Sequence, residues 1–295
     1  MNWEDARLFL AVARAGQLSA AARKTGINQA TMSRRISALE AAMGTKLLVR
    51  RTNGCELTPE GEKFTNALER AEAEIIQAQS SMEGADSSVS GTVRIGAPDG
   101  FGVAFLAPRL KLLAKRHAQL HLQLVPVPRN FSLSRREADI AIMIGRPEAG
   151  RLVARKLTDY SLGLYASGNY LKRFGTPENA ADLAQHRLVG YVEDLIYTPT
   201  LHYAQEFWRG WRAHLEISSA IGQLEAVRAG SGIGVLHDHL AHSHPELRRI
   251  LPHLSAERAY WVAYHESLRD VARVQIAANF LTEIVQDHQR HFLAQ

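Results

Sequence analysis

Residues 28–40 constrain the fold more than any other segment, because their pattern requires a helix with two different faces. At about 3.6 residues per turn, the apolar side chains fall on one stripe. This stripe consists of Met32, Ile36, Leu39 and Met43. The other side and the leading end carry small or polar residues: Gln29, Ala30, Thr31, Ser33, Arg34 and Ser37. We predict a helix that packs by its apolar face and presents the other, as a recognition helix in the DNA major groove must.

Two shorter helical patterns precede this segment. Residues 6–13 form a first predicted helix, which Gly16 ends. Ser19 is placed to cap a second helix at residues 20–24. A tight turn follows, and Asn28 caps the third helix. The order of helices and turn predicts a helix-turn-helix unit.

A small β-wing is predicted after the third helix, which ends at Gly44. Residues 46–50 have the pattern of a strand and residues 55–57 that of its partner, with Asn53-Gly54 as a type I′ turn between them. Basic side chains near the wing and on the third helix are suited to DNA phosphates, which position a protein without specifying sequence. We expect phosphate contacts from Arg35, Arg50 and Arg51.

These segments together resemble the N-terminal domain of LysR-type transcriptional regulators. The matching runs are residues 16–22, 29–36, 39–40, 47–48 and 57–61, with Gly44 and Arg50. Order and spacing match over about the first 65 positions, and Leu48 stands where the family usually has phenylalanine. The resemblance implies a winged helix-turn-helix domain at residues 1–58, a dimerisation helix and a C-terminal effector-binding domain.

Residues 59–84 are the predicted linker and dimerisation helix. Thr58 is a good N-cap, and Pro59 occupies the favoured first helical position. Apolar residues alternate at spacings of four and three, which is a heptad seam: Phe64, Leu68, Ala71, Ile75, Ala78 and Met82. Pairing with the same helix of a second copy is favoured, because a dimer reads two DNA half-sites. Packing of the stripe on its own domain is the alternative.

The remainder of the chain is predicted to be a second domain, residues 92–295, after a small polar hinge linker at residues 85–91. Strands alternate with helices, which argues for a parallel sheet with right-handed crossovers. Runs similar to the LysR-type effector domain occur at residues 91–96, 106–108, 136–142 and 230–236. The resemblance implies a two-lobed α/β fold like that of periplasmic binding proteins, with a small molecule between the lobes. We expect lobe I at about 92–160 and 266–295, and lobe II at about 161–265.

Ligands in open α/β sheets collect at the carboxyl ends of strands, so the loops there provide the candidate effector site. The residues that we expect to line it are Asp99, Gly100, Phe101, Arg129, Asn130, Gly145, Arg146, Tyr197, Tyr203 and His237. Asp99 either caps its own helix or favours an amine or polar effector over a carboxylate. Arg129 and Arg146 favour an anion if they point inward. The charge of the effector therefore stays open.

Other site types have weak support. His237, His239, His242 and His244 lie close in sequence, but zinc-protease spacing is missing, and we expect no metal. Cys55 is the single cysteine, so no intrachain disulfide can form. No nucleophile elbow, phosphate-binding loop or dinucleotide fingerprint is present, so we expect neither an enzyme nor a cofactor. The alternative is a solute-binding protein or enzyme that carries an accessory helix-turn-helix module.

Composition and charge agree with a DNA-binding regulator. The net charge is +5, and residues 1–60 hold nine basic against five acidic side chains. No run of 18 apolar residues and no apolar signal-peptide core occurs, so we expect a cytoplasmic protein without a membrane partner. The expected partners are double-stranded promoter DNA, an unidentified small-molecule effector and further copies of the chain in a homodimer or homotetramer. RNA polymerase is a further candidate.

Overall fold

The computed structural model describes residues 2–51, 54–82, 89–127, 133, 137–147 and 150–293, without the side chains of 70, 73, 74 and 76–82. Asn53, Arg129, Asn130 and most of the predicted hinge lie outside the described residues. Contacts divide the chain into two units. One comprises the described parts of 1–87, 132–137 and 266–272, and the other those of 88–131, 138–265 and 273–295.

The first unit begins with the three predicted helices, α1 (Trp3–Ala15), α2 (Leu18–Thr25) and α3 (Gln29–Met43). The Asn28 side chain caps α3 by accepting a 2.7 Å hydrogen bond from the Thr31 amide. Gly16, Gly26 and Gly44 end the three helices in the left-handed conformation. The predicted cap of α2 is wrong: Gln17 holds the N-cap position, and Ser19 lies inside the first turn.

The apolar stripe of α3 packs into the core of this unit. Met32, Ile36 and Leu39 are at most 3% exposed and belong to one core with the buried side chains of α1, including Leu8 and Phe9. Met43 departs from the prediction because it is the last residue of α3 and is 36% exposed. The buried stripe therefore ends at Leu39.

The wing consists of β1 (Leu48–Arg51) and β2 (Gly54–Leu57), paired antiparallel with Arg51 opposite Gly54. The first strand thus begins two residues later than predicted, and Gly54 belongs to the second strand rather than to the centre of the turn. A Cβ on Gly54 would lie 2.5 Å from the Gly16 carbonyl oxygen, which also accepts a 2.7 Å bond from the Cys55 amide. Only glycine permits this close approach of the wing to the end of α1.

A buried carboxylate attaches the start of the wing to α3. Glu40 is 7% exposed, and its carboxylate accepts hydrogen bonds from the amides of Leu47 at 2.9 Å and Leu48 at 3.1 Å. Lys46 Nζ donates to the same carboxylate at 2.7 Å. Burial raises the pKa of Glu40, but the hydrogen bonds from Lys46, Leu47 and Leu48 outweigh it and hold that pKa below its ordinary value.

The predicted long helix is α4 (Pro59–Met82), and Thr58 caps it by accepting a 2.9 Å bond from the Gly61 amide. Two residues of its predicted dimer seam pack instead on their own unit. The Phe64 ring lies 5.5 Å from that of Phe9, and Leu68 is 5% exposed within the same core. An ion pair of 2.6 Å between Arg14 and Glu72 also holds α4 against α1.

The rest of the seam is less covered. Ala71 is half-buried, and Ile75 is 42% exposed. The side chains of Ala78 and Met82 are outside the described residues. The seam is therefore divided, with its first part in the core of the unit and its middle at the surface.

The described part of the second unit is built on a nine-stranded sheet. Its strands are β3 (Gly91–Ala97), β4 (Leu120–Pro126), β5 (Ile140–Ile144), β6 (Leu152–Ser167), β7 (Leu188–Gly190), β8 (Leu215–Glu216), β9 (Ile233–His237), β10 (Leu247–Ile250) and β11 (Ala256–His265). Their order is β4-β3-β5-β11-β6-β9-β7-β8, with β10 paired to β6. Parallel pairing of β3 with β4 and β5, and of β7 with β8 and β9, confirms the predicted parallel arrangement at both ends.

Two long antiparallel strands, β6 and β11, join these ends. The lobe boundary predicted near residue 160 falls inside β6, which runs unbroken from Leu152 to Ser167. Both strands thus belong to the two lobes at once. We therefore define lobe I by β3, β4 and β5, and lobe II by β7, β8 and β9.

Short helices flank the sheet. They are α5 (Asp99–Phe101), which continues as a π-turn and a 3-10 turn into α6 (Leu110–Arg116), then α7 (Gly168–Phe174), α8 (Ala204–Phe207), α9 (Ala220–Arg228), α10 (Asp238–Ala241) and α11 (Ala272–Asp287). An ion pair of 2.8 Å between Arg116 and Glu283 holds α11 against α6. Among the described residues, no helix is both long and apolar enough to cross a membrane.

We expect Glu40→Ala to weaken the wing. The amides of Leu47 and Leu48 lose their acceptor, which lowers the local free energy of opening by about 2–3 kcal/mol at pH 7. Hydrogen exchange at these two amides in the full-length protein measures this local free energy of opening. The exposed Glu56, which pairs with Arg51 on the wing, gives the control Glu56→Ala, with a change within about 0.5 kcal/mol.

Acid pH should weaken the same contact between Glu40 and the amides of Leu47 and Leu48. Because the folded pKa of Glu40 is lowered, its contribution is present above the unfolded pKa and is lost as pH falls through the folded one. Protection of the two amides in the unsubstituted protein should therefore fall at acid pH toward the level of Glu40→Ala. Equal protection in the two proteins at pH 7 would contradict this account.

Candidate DNA-binding and effector-binding sites

The predicted reading face of α3 lies on one surface of the first unit. Gln29, Ala30, Arg34 and Ser37 are exposed, and Thr31 and Ser33 are half-buried. No hydrogen bond or ion pair engages Arg34 among the described residues. Its guanidinium, which presents five donors in a planar fork, is therefore available to an external acceptor.

The three arginines predicted to contact phosphates differ in their surroundings. Arg50 Nη2 donates a 2.7 Å hydrogen bond to Ser33 Oγ and so connects the wing to the reading face of α3. Arg51 pairs with Glu56 at 2.9 Å and is exposed. Arg35 pairs with Asp5 at 2.7 Å, so a phosphate contact by Arg35 competes with an ion pair inside the domain.

In the second unit, Asp99 contacts the N-terminus of α9. Its Oδ2 atom accepts hydrogen bonds from Ser219 Oγ at 2.6 Å and from the Ile221 amide at 3.2 Å. Ser219 is the N-cap of α9 and also accepts from the Gly222 amide at 3.0 Å. Asp99 does not cap its own helix, because it is the first residue of α5 and its carboxylate binds the amide end of another helix. Asp99 thus links the α5 segment, which follows lobe I strand β3, to α9 of lobe II.

Gly100 and Phe101 have packing roles that differ from the prediction. A Cβ on Gly100 would lie 3.2 Å from the Ala220 Cβ, so glycine allows α5 to approach α9 closely. Phe101 is fully buried, with its ring 4.8 Å from that of Tyr260 and 6.0 Å from that of Phe292. We assign both residues to the packing of α5 rather than to ligand contact.

Three tyrosines lie within electrostatic range of the Asp99 carboxylate. Burial raises the pKa of Tyr191 to about 12, and the negative charge of Asp99 contributes. Burial also raises the pKa of Tyr197 and of Tyr203, again with a contribution from Asp99. These hydroxyls therefore stay protonated at neutral pH and lie within electrostatic range of one carboxylate. Tyr197 and Tyr203 were predicted to line the site; Tyr191 was not.

His237 also lies near this carboxylate. Its ring is 6% exposed and stacks on Tyr160 with 5.1 Å between ring centroids. Burial lowers the pKa of His237 to about 4, although the nearby Asp99 and Asp238 act in the opposite direction. The imidazole is therefore neutral at physiological pH.

The other predicted residues do not join this cluster. Gly145 has a φ of +80°, and its amide donates a 2.9 Å bond to the Ala259 carbonyl, so it serves as a turn. Arg146 is exposed, with its guanidinium over the Trp261 ring at 5.8 Å. This placement does not support an inward role for Arg146. Among the described residues, no three His, Cys, Asp or Glu side chains are placed to hold a metal ion.

A cavity of about 500 Å³ lies in lobe II and is lined by Tyr191 and Tyr203, but not by Asp99, Tyr197 or His237. Its lining includes Tyr191, Glu193, Tyr203, Trp211, Glu216 and Gln223. Ser219 and Tyr191 were missed by the sequence predictions. Ser219 could have been found from the sequence as an N-cap, because it comes directly before the helical pattern of α9.

Comparisons with known proteins agree over nearly the whole chain. The family model of the bacterial regulatory helix-turn-helix protein, lysR family, matches residues 3–62, and that of the LysR substrate binding domain matches residues 86–286. The HTH-type transcriptional regulator CrgA of Neisseria meningitidis is 27% identical over 96% of each chain. The HTH-type transcriptional regulator DmlR of Escherichia coli is 29% identical over 98% of this chain and 96% of its own.

A solved structure of CrgA from Neisseria meningitidis, described as a LysR-type transcriptional regulator, has a TM-score of 0.60 at 25% identity. The match covers 97% of this chain and 99% of that one. The relatives are named as regulators, which points to a protein that is not an enzyme. The chain therefore belongs to the LysR family of DNA-binding transcriptional regulators, with an N-terminal helix-turn-helix domain and a C-terminal effector-binding domain.

Proposed function

We propose that this regulator reads promoter DNA with the exposed face of α3 and changes its DNA binding when a small molecule occupies the cleft beside Asp99. The observation that carries the first part is Arg34, exposed on α3 without a partner among the described residues. Arginine is the commonest reader of guanine, because its fork matches the O6 and N7 acceptors in the major groove. Gln29, exposed at the start of the same helix, is suited to adenine.

Contacts to the phosphates would come from the wing. Arg50 and Arg51 lie on the exposed strand β1, and the bond from Arg50 to Ser33 keeps the wing beside the reading face. Ser33 and Ser37 add small side chains that let the helix approach bases closely, as do Ala30 and Thr31. Arg35 would have to share its guanidinium between Asp5 and a phosphate.

A homodimer or homotetramer would form through the exposed part of α4. Ile75 is a large apolar residue that is 42% exposed in a helix whose heptad continues beyond it. A coiled-coil contact there would bury the part of the apolar seam of α4 that the first unit leaves exposed. Two copies would present two recognition helices to two half-sites, which is how dimeric helix-turn-helix proteins gain specificity. The protein would work in the cytoplasm, where promoter DNA and RNA polymerase are available to it.

The effector would act by binding one arrangement of the two lobes better than another. Asp99 connects the lobes through Ser219 and Ile221, so a ligand at this carboxylate contacts the point where they meet. A ligand shifts a conformational equilibrium only by its difference in affinity for the two states. The difference between the ligand's affinities for the two arrangements would set the change in the DNA affinity of the dimer.

Arg34→Ala should remove sequence-specific DNA capture. We expect the full-length protein to enrich a few genomic sites with dyad symmetry and Arg34→Ala to lose about tenfold or more of its affinity for them, since one bidentate base contact is worth about 1–3 kcal/mol. Genome-wide capture with the purified protein measures this. The control is Arg7→Ala, which removes the same charge from an α1 residue paired with Glu4. Sites that stay enriched in Arg34→Ala would show that the reading face is wrong.

Ile75→Glu should weaken self-association. A charge on the exposed stripe of α4 would lower the dimerisation constant by at least about tenfold, because burying an isoleucine is worth about 1.5–3 kcal/mol. Sedimentation analysis measures the constant, and Asn66→Glu, exposed on the same helix but outside the seam, is the matched control. Unchanged association in Ile75→Glu would contradict this interface.

Leu68→Ala should instead lower the stability of the first unit, because Leu68 is buried in the core of that unit.

A further inference from the structure

We propose that the cleft beside Asp99 selects a small organic cation, with an ammonium group on Asp99 Oδ1 and the rest of the ligand against Tyr191 and Tyr203. This inference rests on the proposed effector role of the cleft and names the chemical class that fits it.

The N-terminus of α9 already holds a carboxylate. Free amides and the helix dipole make such a terminus attractive to anions. In this chain Asp99 Oδ2 occupies the position by accepting from Ser219 Oγ and the Ile221 amide at 2.6 and 3.2 Å. A ligand carboxylate brought to the same terminus would meet the charge of Asp99 in a poorly solvated site, where like charges repel strongly. The cleft therefore disfavours an anion at this point.

The second oxygen of the same carboxylate lacks a partner among the described residues. Asp99 is 9% exposed, and its Oδ1 atom accepts no hydrogen bond from any of them. This oxygen is not fully enclosed, so a ligand can reach it, and an ammonium N–H would supply a short, charge-assisted bond to it. A protonated amine therefore gains most from this atom.

The walls beside Asp99 suit a cation as well. Tyr191 and Tyr203 lie within electrostatic range of Asp99 and line a cavity of about 500 Å³, to whose lining Asp99 itself does not contribute. The faces of tyrosine rings attract ammonium groups, with more gain where water is excluded. His237, which lies near the same carboxylate, carries no charge at neutral pH, because its burial lowers its pKa to about 4. These groups add no positive charge that would repel the ligand.

The described arginines near the cavity are balanced by acids. Arg258, which acts electrostatically on Tyr203, pairs with Glu206, and its Nε donates a 2.8 Å bond to the Thr200 carbonyl. The cavity is also lined by two arginines and two glutamates, Arg209, Arg212, Glu193 and Glu216. The charge of Asp99 is thus left without a described cationic partner. Arg129 lies outside the described residues, so the experiment includes Arg129→Ala.

Matched pairs of probes test the sign of the ligand charge on the full-length protein. The cations are putrescine and phenethylamine, which carry ammonium N–H groups, and their counterparts are adipate and 3-phenylpropanoate. Saturation-transfer NMR and calorimetry give the affinities. We expect at least one cation to bind about tenfold or more tightly than its counterpart, and Asp99→Asn to lose about tenfold or more of that affinity.

A second variant and a control test whether the charge of Asp99 sets the ligand preference. Asp99→Ser removes the internal carboxylate from the α9 terminus, so we expect it to bind a carboxylate probe better than the unsubstituted protein does. Asp194→Asn removes an equal charge from an exposed residue of lobe II and should leave the affinities unchanged. Thermal unfolding of each variant shows that it is folded.

Three results would overturn the proposal. They are failure of every cation to bind, tighter binding of a carboxylate whose affinity falls in Arg129→Ala, and cation binding that Asp99→Asn leaves unchanged. DNA capture with the same samples separates the two proposals. Cation binding without specific DNA sites would contradict the proposed function only, and specific DNA sites without cation binding would contradict the ligand class only.

Discussion

The antiparallel pairing of β6 with β11 is the constraint on which the effector-binding domain depends. The register runs from Ala256 opposite Leu162 to His265 opposite Leu152, with an irregularity at Tyr260 and Trp261. On one side β11 pairs with β5 of lobe I, and on the other β6 pairs with β9 of lobe II. The strands of both lobes are therefore placed relative to this pair, and so are the loops that carry the candidate site.

The same pair also packs against the segment that carries Asp99. Tyr160 of β6 and Tyr260 of β11 stack with 4.2 Å between ring centroids, and Phe101 packs on Tyr260 two residues after Asp99. This packing fixes Phe101, which belongs to the same short helix α5 as the nearly buried Asp99. A carboxylate in such surroundings forms stronger electrostatic bonds than one in water. The contact of Asp99 with α9 thus lies two residues along the chain from this aromatic packing.

Local patterns predicted much of the fold, whereas contacts between distant residues were not predictable. The face of α3 and its cap at Asn28 follow from helical periodicity and side-chain chemistry within one segment. The heptad of α4 could not show whether Leu68 packs on its own unit or on a partner, because both require the same spacing. Asp99 bonds to Ser219, 120 positions away, and periodicity carries no information on such pairings. The resemblance implied an effector cleft between the lobes but left the charge of the effector open.

In the proposed function, the exposed face of α3 reads DNA bases and the wing beside it holds phosphates. The structure of the full-length protein bound to one of its captured genomic sites would decide whether these surfaces meet the DNA. We predict α3 in the major groove, with Arg34 and Gln29 within hydrogen-bonding distance of base edges and Arg50 and Arg51 on phosphate oxygens. A complex in which the face bearing Arg34 is turned away from the bases would contradict the account.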